Sequence, residues 1–473
     1  MLNRFYLWVL FLSSLVLIAY TVFVTYQEIT PEWKKYQVEY KELLIKEAKD
    51  ENIRKKVKAM DIKLQQIYLG VLNKVDRCTS CHMGVENPLM VNEKVPFKQH
   101  RGDYLKNHPV EIFGCTVCHY GQGRAPNRKE AHGIGRDTYW DYPIMNLEYI
   151  QTSCALCHDL TFLKDRGGEK VVAGERLFRQ KGCMGCHKLE GVGGVLGKSL
   201  DGIGSQPIAY FPMRYVKGEK TVAQWIREHE EEPRRVVPDS QMRVDVTPEE
   251  ADFLTTYIMS LRSEEIPRKL RRLTGAKMPE EIKDEGESLY KMYCIACHGN
   301  GKASVFDEAF KRTIPAIKNP AFLKVADDKF IRENMSEGRA GTQMTAWKAA
   351  AAGLTEQQIE KIIKYITKDR PKERPVPFGF ALFKVNINHG EEIFKSRCVA
   401  CHGENGEGGV GLNLRNPVVQ KADPEFLTIT VRDGREGTAM ISFGSKDGGL
   451  TSQDIADVVG YVRTLSKKKY KSH

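Results

Sequence analysis

The longest apolar run in the chain is Phe5 to Val24, twenty residues without a charge. That is long enough to cross a bilayer as a helix. A cleaved signal would have a shorter core and a small-residue exit. Here Tyr20, Phe23, Val24 and Tyr26 fill the exit, so residues 1–30 predict an uncleaved anchor. From 31 to 75 the pattern turns to Lys and Glu, and Lys34 to Lys58 predicts a solvated, helical stalk. Ile62 to Leu69 fits a helix or a strand equally. Residues 76–165 carry scattered Gly and Pro and too few apolar positions for an ordinary core.

Beyond residue 170 the helical pattern returns as an internal repeat. Gly174-Glu175-Arg176-Leu177-Phe178, Gly286-Glu287-Ser288-Leu289-Tyr290 and Gly390-Glu391-Glu392-Ile393-Phe394 each open a unit. Each unit closes on a helix that starts at Thr247, Thr355 or Thr451, with Glu250, Gln358 or Asp454 three positions on. The first two pairs form a capping box, and the third nearly does. Tyr257, Tyr365 and Tyr461 each lie ten positions after the threonine. The last two units also share Gly338-Arg339-Ala340-Gly341-Thr342-Gln343-Met344 and Gly434-Arg435-Glu436-Gly437-Thr438-Ala439-Met440. Charge and proline mark linkers at Arg262–Asp284 and Pro371–Pro377.

A chain of 473 residues, 41% hydrophobic and 28% charged, has room for three or four globular domains. Its twelve cysteines change the picture. All lie in Cys-x-x-Cys-His motifs. The first three are Cys78, Cys81 and His82; Cys115, Cys118 and His119; and Cys154, Cys157 and His158. The other three are Cys183, Cys186 and His187; Cys294, Cys297 and His298; and Cys398, Cys401 and His402. This is the attachment signature of haem c. Two thiols add to the vinyl groups of one porphyrin, and the adjoining histidine binds the iron. A dithiol redox pair, a zinc site or disulfides would not place histidine after the second cysteine six times. Six covalently bound haem c groups are therefore expected.

The units beyond 170 resemble class I cytochrome c domains, with an opening helix, the motif, a methionine loop and a closing helix bearing an aromatic. The resemblance implies a small α-helical fold round each haem and Met242, Met344 and Met440 as sixth ligands. Arg243, Thr345 and Ile441 stand where that family usually has proline. No such unit surrounds His82, His119 and His158. Three spare histidines, His100, His108 and His132, lie in the same segment and suggest bis-histidine coordination. The alternative puts Met83, Met90 or Met145 on an iron. His229 and His389 read as solvated, and His473 ends a Lys-rich tail.

The fold class expected is mainly α: an anchor (1–30), a charged stalk (31–75), a triheme module with little regular structure (76–165), and three cytochrome c domains (170–265, 281–370, 383–467). Methionine raises haem potential relative to histidine, so electrons would run from the membrane-proximal end outward. The arrangement is similar to multihaem subunits of quinol-oxidising complexes. It implies a cytochrome b-type or other quinol-oxidising membrane partner. The acceptor would be a soluble cytochrome or a terminal oxidase or reductase. The N-terminus would be cytoplasmic and the haem domains periplasmic. The formal charge of +11 falls to roughly +5 once six ferric haems with ionised propionates are counted, and it does not imply nucleic-acid binding. A catalytic nitrite or peroxide reductase needs an open iron position, and a conducting filament would not be anchored. Neither fits as well.

Overall fold

The computed structural model describes residues 2–48, 50–135, 140–263, 285–308, 312–339, 342–444 and 449–467. Nearly all of the linker at Arg262–Asp284, with Ala340, Gly341 and His473, lies outside the described residues. The described chain forms two compact units, one holding 2–168 and 206–225, the other 169–205, 226–263 and everything from 285 onward.

The first unit opens with the helix Leu2–Ile29. Its segment Arg4–Tyr26 has a mean hydropathy of 2.4 and no buried residue, so its apolar surface faces outward on every side. Ser14, Thr21 and Thr25 donate their hydroxyls to carbonyls four residues back, each at 2.8 Å. Such bonds satisfy the hydroxyls where no water is present. This helix is the membrane anchor.

The next helix, Glu32–Glu47, buries Trp33, Gln37 and Tyr40, which share one face. Gln37 donates to the carbonyls of Lys63 (2.8 Å) and Ser80 (3.1 Å) and accepts from the N–H of Lys63 (3.0 Å). Tyr40 stacks on Phe97 with ring centroids 6.0 Å apart, over the fully buried Met90. Of the stretch expected to be a solvated stalk, Glu32–Glu47 is therefore solvated on one face only, whereas the helix Glu51–Lys58 buries no residue, as expected. The ambiguous stretch resolves as a hairpin, Ile67–Leu69 pairing antiparallel with Lys74–Asp76. The described residues of 78–163 then form turns, helices of three or four residues and an isolated bridge between Tyr120 and Ile144.

The second unit is built three times on one crossing. Glu169–Gln180 packs on Pro248–Ser260, Gly286–Tyr293 on Glu356–Thr367, and Ile387–Arg397 on Ser452–Val462. At each crossing a glycine faces the backbone of the closing helix. A Cβ on Gly174, Gly286 or Gly390 would lie 2.0, 2.2 or 2.1 Å from the carbonyl oxygen of Phe253, Lys361 or Asp457. One turn on, Phe178 meets Tyr257, Tyr290 meets Tyr365, and Phe394 meets Tyr461, at centroid distances of 5.3, 5.3 and 5.4 Å. All three closing helices carry complete capping boxes, because the Asp454 carboxylate accepts from the Thr451 N–H at 2.8 Å. The shorter aspartate thus fills the role that glutamate and glutamine fill in the other two.

The close approach fixes the sign of one substitution. On a free helix, Gly286→Ala would stabilise by about 1 kcal/mol. Here it should destabilise the protein by about 1–3 kcal/mol through overpacking, seen as a lower melting temperature.

Candidate haem centres

Each motif folds as a single turn. The histidine N–H donates to the carbonyl of the first cysteine at 2.9 Å for His82, His119, His298 and His402, and at 3.0 Å for His158 and His187. Positions i, i+3 and i+4 of such a turn share one face, so both thiols and the imidazole point the same way. The last motif shows how the turn is held. The N–H of Cys401 donates to the Cys398 carbonyl at 3.2 Å, and the Cys401 carbonyl accepts from the Gly411 N–H at 2.7 Å. None of the twelve cysteines, Cys401 included, is in a disulfide. Burial pushes the thiols of Cys183 and Cys294 up to about 12. It pushes those of Cys81 and Cys398 up to about 11, with the neighbouring Cys401 adding to the effect on Cys398. These four are held as protonated thiols, the form that adds across a porphyrin's vinyl group.

The imidazoles are aimed through their far nitrogen. Nδ1 of His187, His298 and His402 bonds the carbonyls of Lys198 (2.7 Å), Pro315 (3.1 Å) and Leu412 (2.8 Å). This leaves Nε2 of each ring available to a metal. Burial holds His82, His119, His187, His298 and His402 below the ordinary histidine range. They are neutral, as metal ligands must be.

The three spare histidines of the first unit each meet one motif histidine. His82 faces His132 with ring centroids 6.0 Å apart, His119 faces His100 at 6.1 Å, and His158 faces His108 at 6.0 Å. An iron held by two imidazoles at about 2 Å from each nitrogen puts the centroids roughly 6 Å apart. The donor set and its spacing therefore fit a haem between each pair. Nδ1 of His100 and His108 bonds the carbonyls of Arg101 (2.9 Å) and Tyr104 (3.0 Å), again freeing Nε2.

In the second unit the three methionines sit in one kind of turn. The N–H of Met344 donates to the Thr342 hydroxyl (3.2 Å) and that of Met440 to the Thr438 hydroxyl (3.1 Å). Met242 does the same with Ser240 (3.2 Å). The shared signal is a hydroxyl two positions before methionine, which the longer Gly-Arg phrase had obscured in the first repeat.

Successive motifs also meet. The thiols of Cys78 and Cys115 lie within 4.8 Å of each other and of the Asp76 carboxylate. Asp76 is fully buried and accepts from the N–H groups of Cys115 (2.7 Å), Thr116 (2.9 Å) and Cys78 (3.0 Å). Burial alone would raise its pKa, but these bonds outweigh it and hold the carboxyl below its usual range. Cys118 interacts with Cys154 and Cys157. In the second unit the turn Cys183–Gly185 packs on Ile295–His298, which brings Cys186 near Cys297. That approach is possible because the first turn carries glycines: a Cβ at Gly182 would lie 2.7 Å from Ile295 Cγ2, and one at Gly185 2.9 Å from the Tyr293 carbonyl.

Two histidines differ from the sequence reading. His229 is not a solvated residue. Its Nδ1 is sealed from water, and burial, with the nearby His187 adding to it, pushes the ring down to about 4. The helix Val222–Glu231 turns Glu228 and Glu230 inward as well, each 3% exposed. His389 is half-exposed but engaged, with Nδ1 2.9 Å from Asp457.

Comparison with known proteins shows which family the repeats resemble. A sequence profile described as cytochrome c oxidase, cbb3-type, subunit III matches residues 281–366 and 385–462, and one described as cytochrome c matches 171–262. Cytochrome c6 of Alaria esculenta is 34% identical over 92 residues, 18% of this chain and 96% of that protein. The chain belongs to the cytochrome c family. With its anchor and repeated motifs it is a membrane-anchored, multihaem c-type cytochrome. The cytochrome is also 24% identical over 198 residues to the cbb3-type cytochrome c oxidase subunit CcoP of Rhodobacter capsulatus, a match over 39% of this chain and 62% of that protein. A solved chain from the Kuenenia stuttgartiensis reducing HAO-like protein complex matches 40% of this cytochrome and 99% of its own length, at 22% identity. Its TM-score of 0.28 carries no argument. Neither profile reaches the three motifs of 76–165.

Replacing the Asp76 carboxylate should loosen the first two centres together. Asp76→Asn is expected to cost about 2–3 kcal/mol in the first unit. Because the folded carboxyl lies below the unfolded value of about 3.9, its stabilisation is complete above that pH and is lost as the pH falls below it. Melting curves between neutral pH and pH 3 should show this acid-side loss in the native protein and not in the variant.

Proposed function

We propose that this cytochrome binds six haems covalently and relays electrons from a quinol-oxidising membrane partner, a cytochrome b-type subunit, to a soluble cytochrome or a terminal oxidase or reductase. The observation that carries the reading is the proximity of neighbouring attachment motifs, the first three in one unit and the fourth and fifth in the other. The Cys78 and Cys115 thiols lie within 4.8 Å, Ser153 beside Cys154 donates to the Cys118 carbonyl at 2.7 Å, and the turn Cys183–Gly185 packs on Ile295–His298. Tunnelling rates fall exponentially with edge-to-edge distance, so attachment edges close together suit a relay.

When bound, each haem supplies a one-electron iron couple, and the chain's own side chains set its potential. In this reading His132, His100 and His108 complete the centres of His82, His119 and His158, while Met242, Met344 and Met440 complete those of His187, His298 and His402. Methionine raises the potential over histidine, so the path runs downhill from the anchored unit to the cytochrome c repeats. A sixth ligand for every iron leaves no open position for substrate, which favours a relay over a reductase. Covalent haem attachment, which takes place on the outer side of the membrane, supports a periplasmic position for the chain beyond the anchor and a cytoplasmic N-terminus. The CcoP relative, named as an oxidase subunit, supports a place in a membrane respiratory complex.

The decisive experiment adds reduced quinol to protein purified gently from membranes and follows the haem absorption. Rapid reduction that requires a co-purifying membrane subunit is expected. Reduction only by a soluble donor protein would overturn the quinol-linked reading. A redox titration should place three haems low and three high. His132→Met should move one of the low three upward by on the order of 100 mV.

A further inference from the structure

The packing of the second repeat on the third carries Arg435 of one repeated phrase onto Phe322 of the other repeat, within electrostatic reach of Arg339. Arg435 lies over two rings, its guanidinium 5.0 Å from the centroid of Phe322 and 5.8 Å from that of Phe426. Its Nε is sealed from solvent and has no hydrogen-bond partner. Arg339 donates from Nε to Asn334 at 2.8 Å. Among the described residues no carboxylate pairs with either guanidinium, and the charged group that acts on Arg435 is Arg339 itself. Each also acts on the imidazole of its own repeat, Arg339 on His298 and Arg435 on His402.

The surroundings hold this juxtaposition in place. Phe330 of the second repeat packs on Phe426 of the third at 4.7 Å. Asn319 donates to the Glu436 carbonyl at 2.7 Å, one residue beyond Arg435. Thr313 donates to the carbonyl of Val410. Two like charges withdrawn from water side by side are unstable unless anions join them. The planar fork of a guanidinium matches the two oxygens of a carboxylate.

We propose that Arg339 and Arg435 form one anion site that takes the propionate carboxylates of both haems, the one attached at Cys294 and Cys297 and the one at Cys398 and Cys401. The site rests on both of those motifs being loaded, as set out under Proposed function. A single charge pair would then tune two haems at once. Losing either arginine removes a positive charge from both, favours the ferric state of both, and lowers both potentials.

The test uses the full-length holoprotein. Mass spectrometry of the two motif peptides comes first; a missing haem on either would overturn the attachment reading and the proposal with it. With both present, spectroelectrochemical titration of Arg339→Gln, Arg435→Gln and Arg435→Lys judges the arginine site alone. Met344→His and Met440→His serve to assign the two haems. Each glutamine variant is expected to lower the reduced-to-oxidised ratio of both haems roughly fivefold or more at a fixed potential, and Arg435→Lys to recover most of it. A shift confined to the variant's own repeat, or no shift, would sink the shared site. So would a response of the unmodified protein to added inorganic phosphate, which would mark the site as open to a free anion.

Discussion

One hydrogen bond, repeated six times, orders the rest of the molecule: the histidine N–H of each motif to the carbonyl of its first cysteine. It closes a single helical turn and sets two thiols and an imidazole on one face. A longer or shorter spacing would point one of the three away. Around that turn the protein adds only what is needed to aim the ring. A backbone carbonyl takes Nδ1 of His187, His298 and His402, and burial keeps the imidazoles neutral. The same turn works in two settings that share little else, one almost without regular structure and one made of crossed helices.

The two settings solve the same problem by different means. In the repeats, protein supplies the core: a glycine lets two helices approach closely, an aromatic pair locks the crossing, and a capping box starts the closing helix. In the segment 76–165 there is no such frame. Asp76 ties the first two motifs through three backbone N–H groups, and the helix Glu32–Glu47 covers one side through Gln37 and Tyr40. A buried carboxylate there does what a helix crossing does in the repeats. Both arrangements bring attachment cysteines of neighbouring motifs together, and that proximity is what a relay requires.

Much of the candidate site was legible because covalent chemistry leaves a strict spacing. The motifs, the repeat, and the glycine and tyrosine of each crossing could be read directly. Met242 was harder, since its loop lacks the glycine-arginine phrase, yet Ser240 makes the bond that Thr342 and Thr438 make. His229 was misread because its neighbours are charged. Local polarity suggested solvent, but tertiary packing buries Glu228 and Glu230 beside it. The first helix after the anchor was misread for the same reason. Its buried face is made of Trp33, Gln37 and Tyr40, and a glutamine that satisfies three backbone groups leaves no hydrophobic signature.

The sequence by itself determined how many attachment turns the chain carries, that an apolar helix precedes them, and that three helical units follow. Each of these is a local property, set by spacing within about a turn or by the period of apolar residues. Only the tertiary structure decided which histidine faces which, that Cys186 lies near Cys297, and that Arg435 packs on Phe322 of the preceding repeat. Those partners are distant in sequence, and nothing in either member of a pair encodes the other. They are brought together by glycines too small to hold two backbones apart and by buried polar groups that must find their bonds.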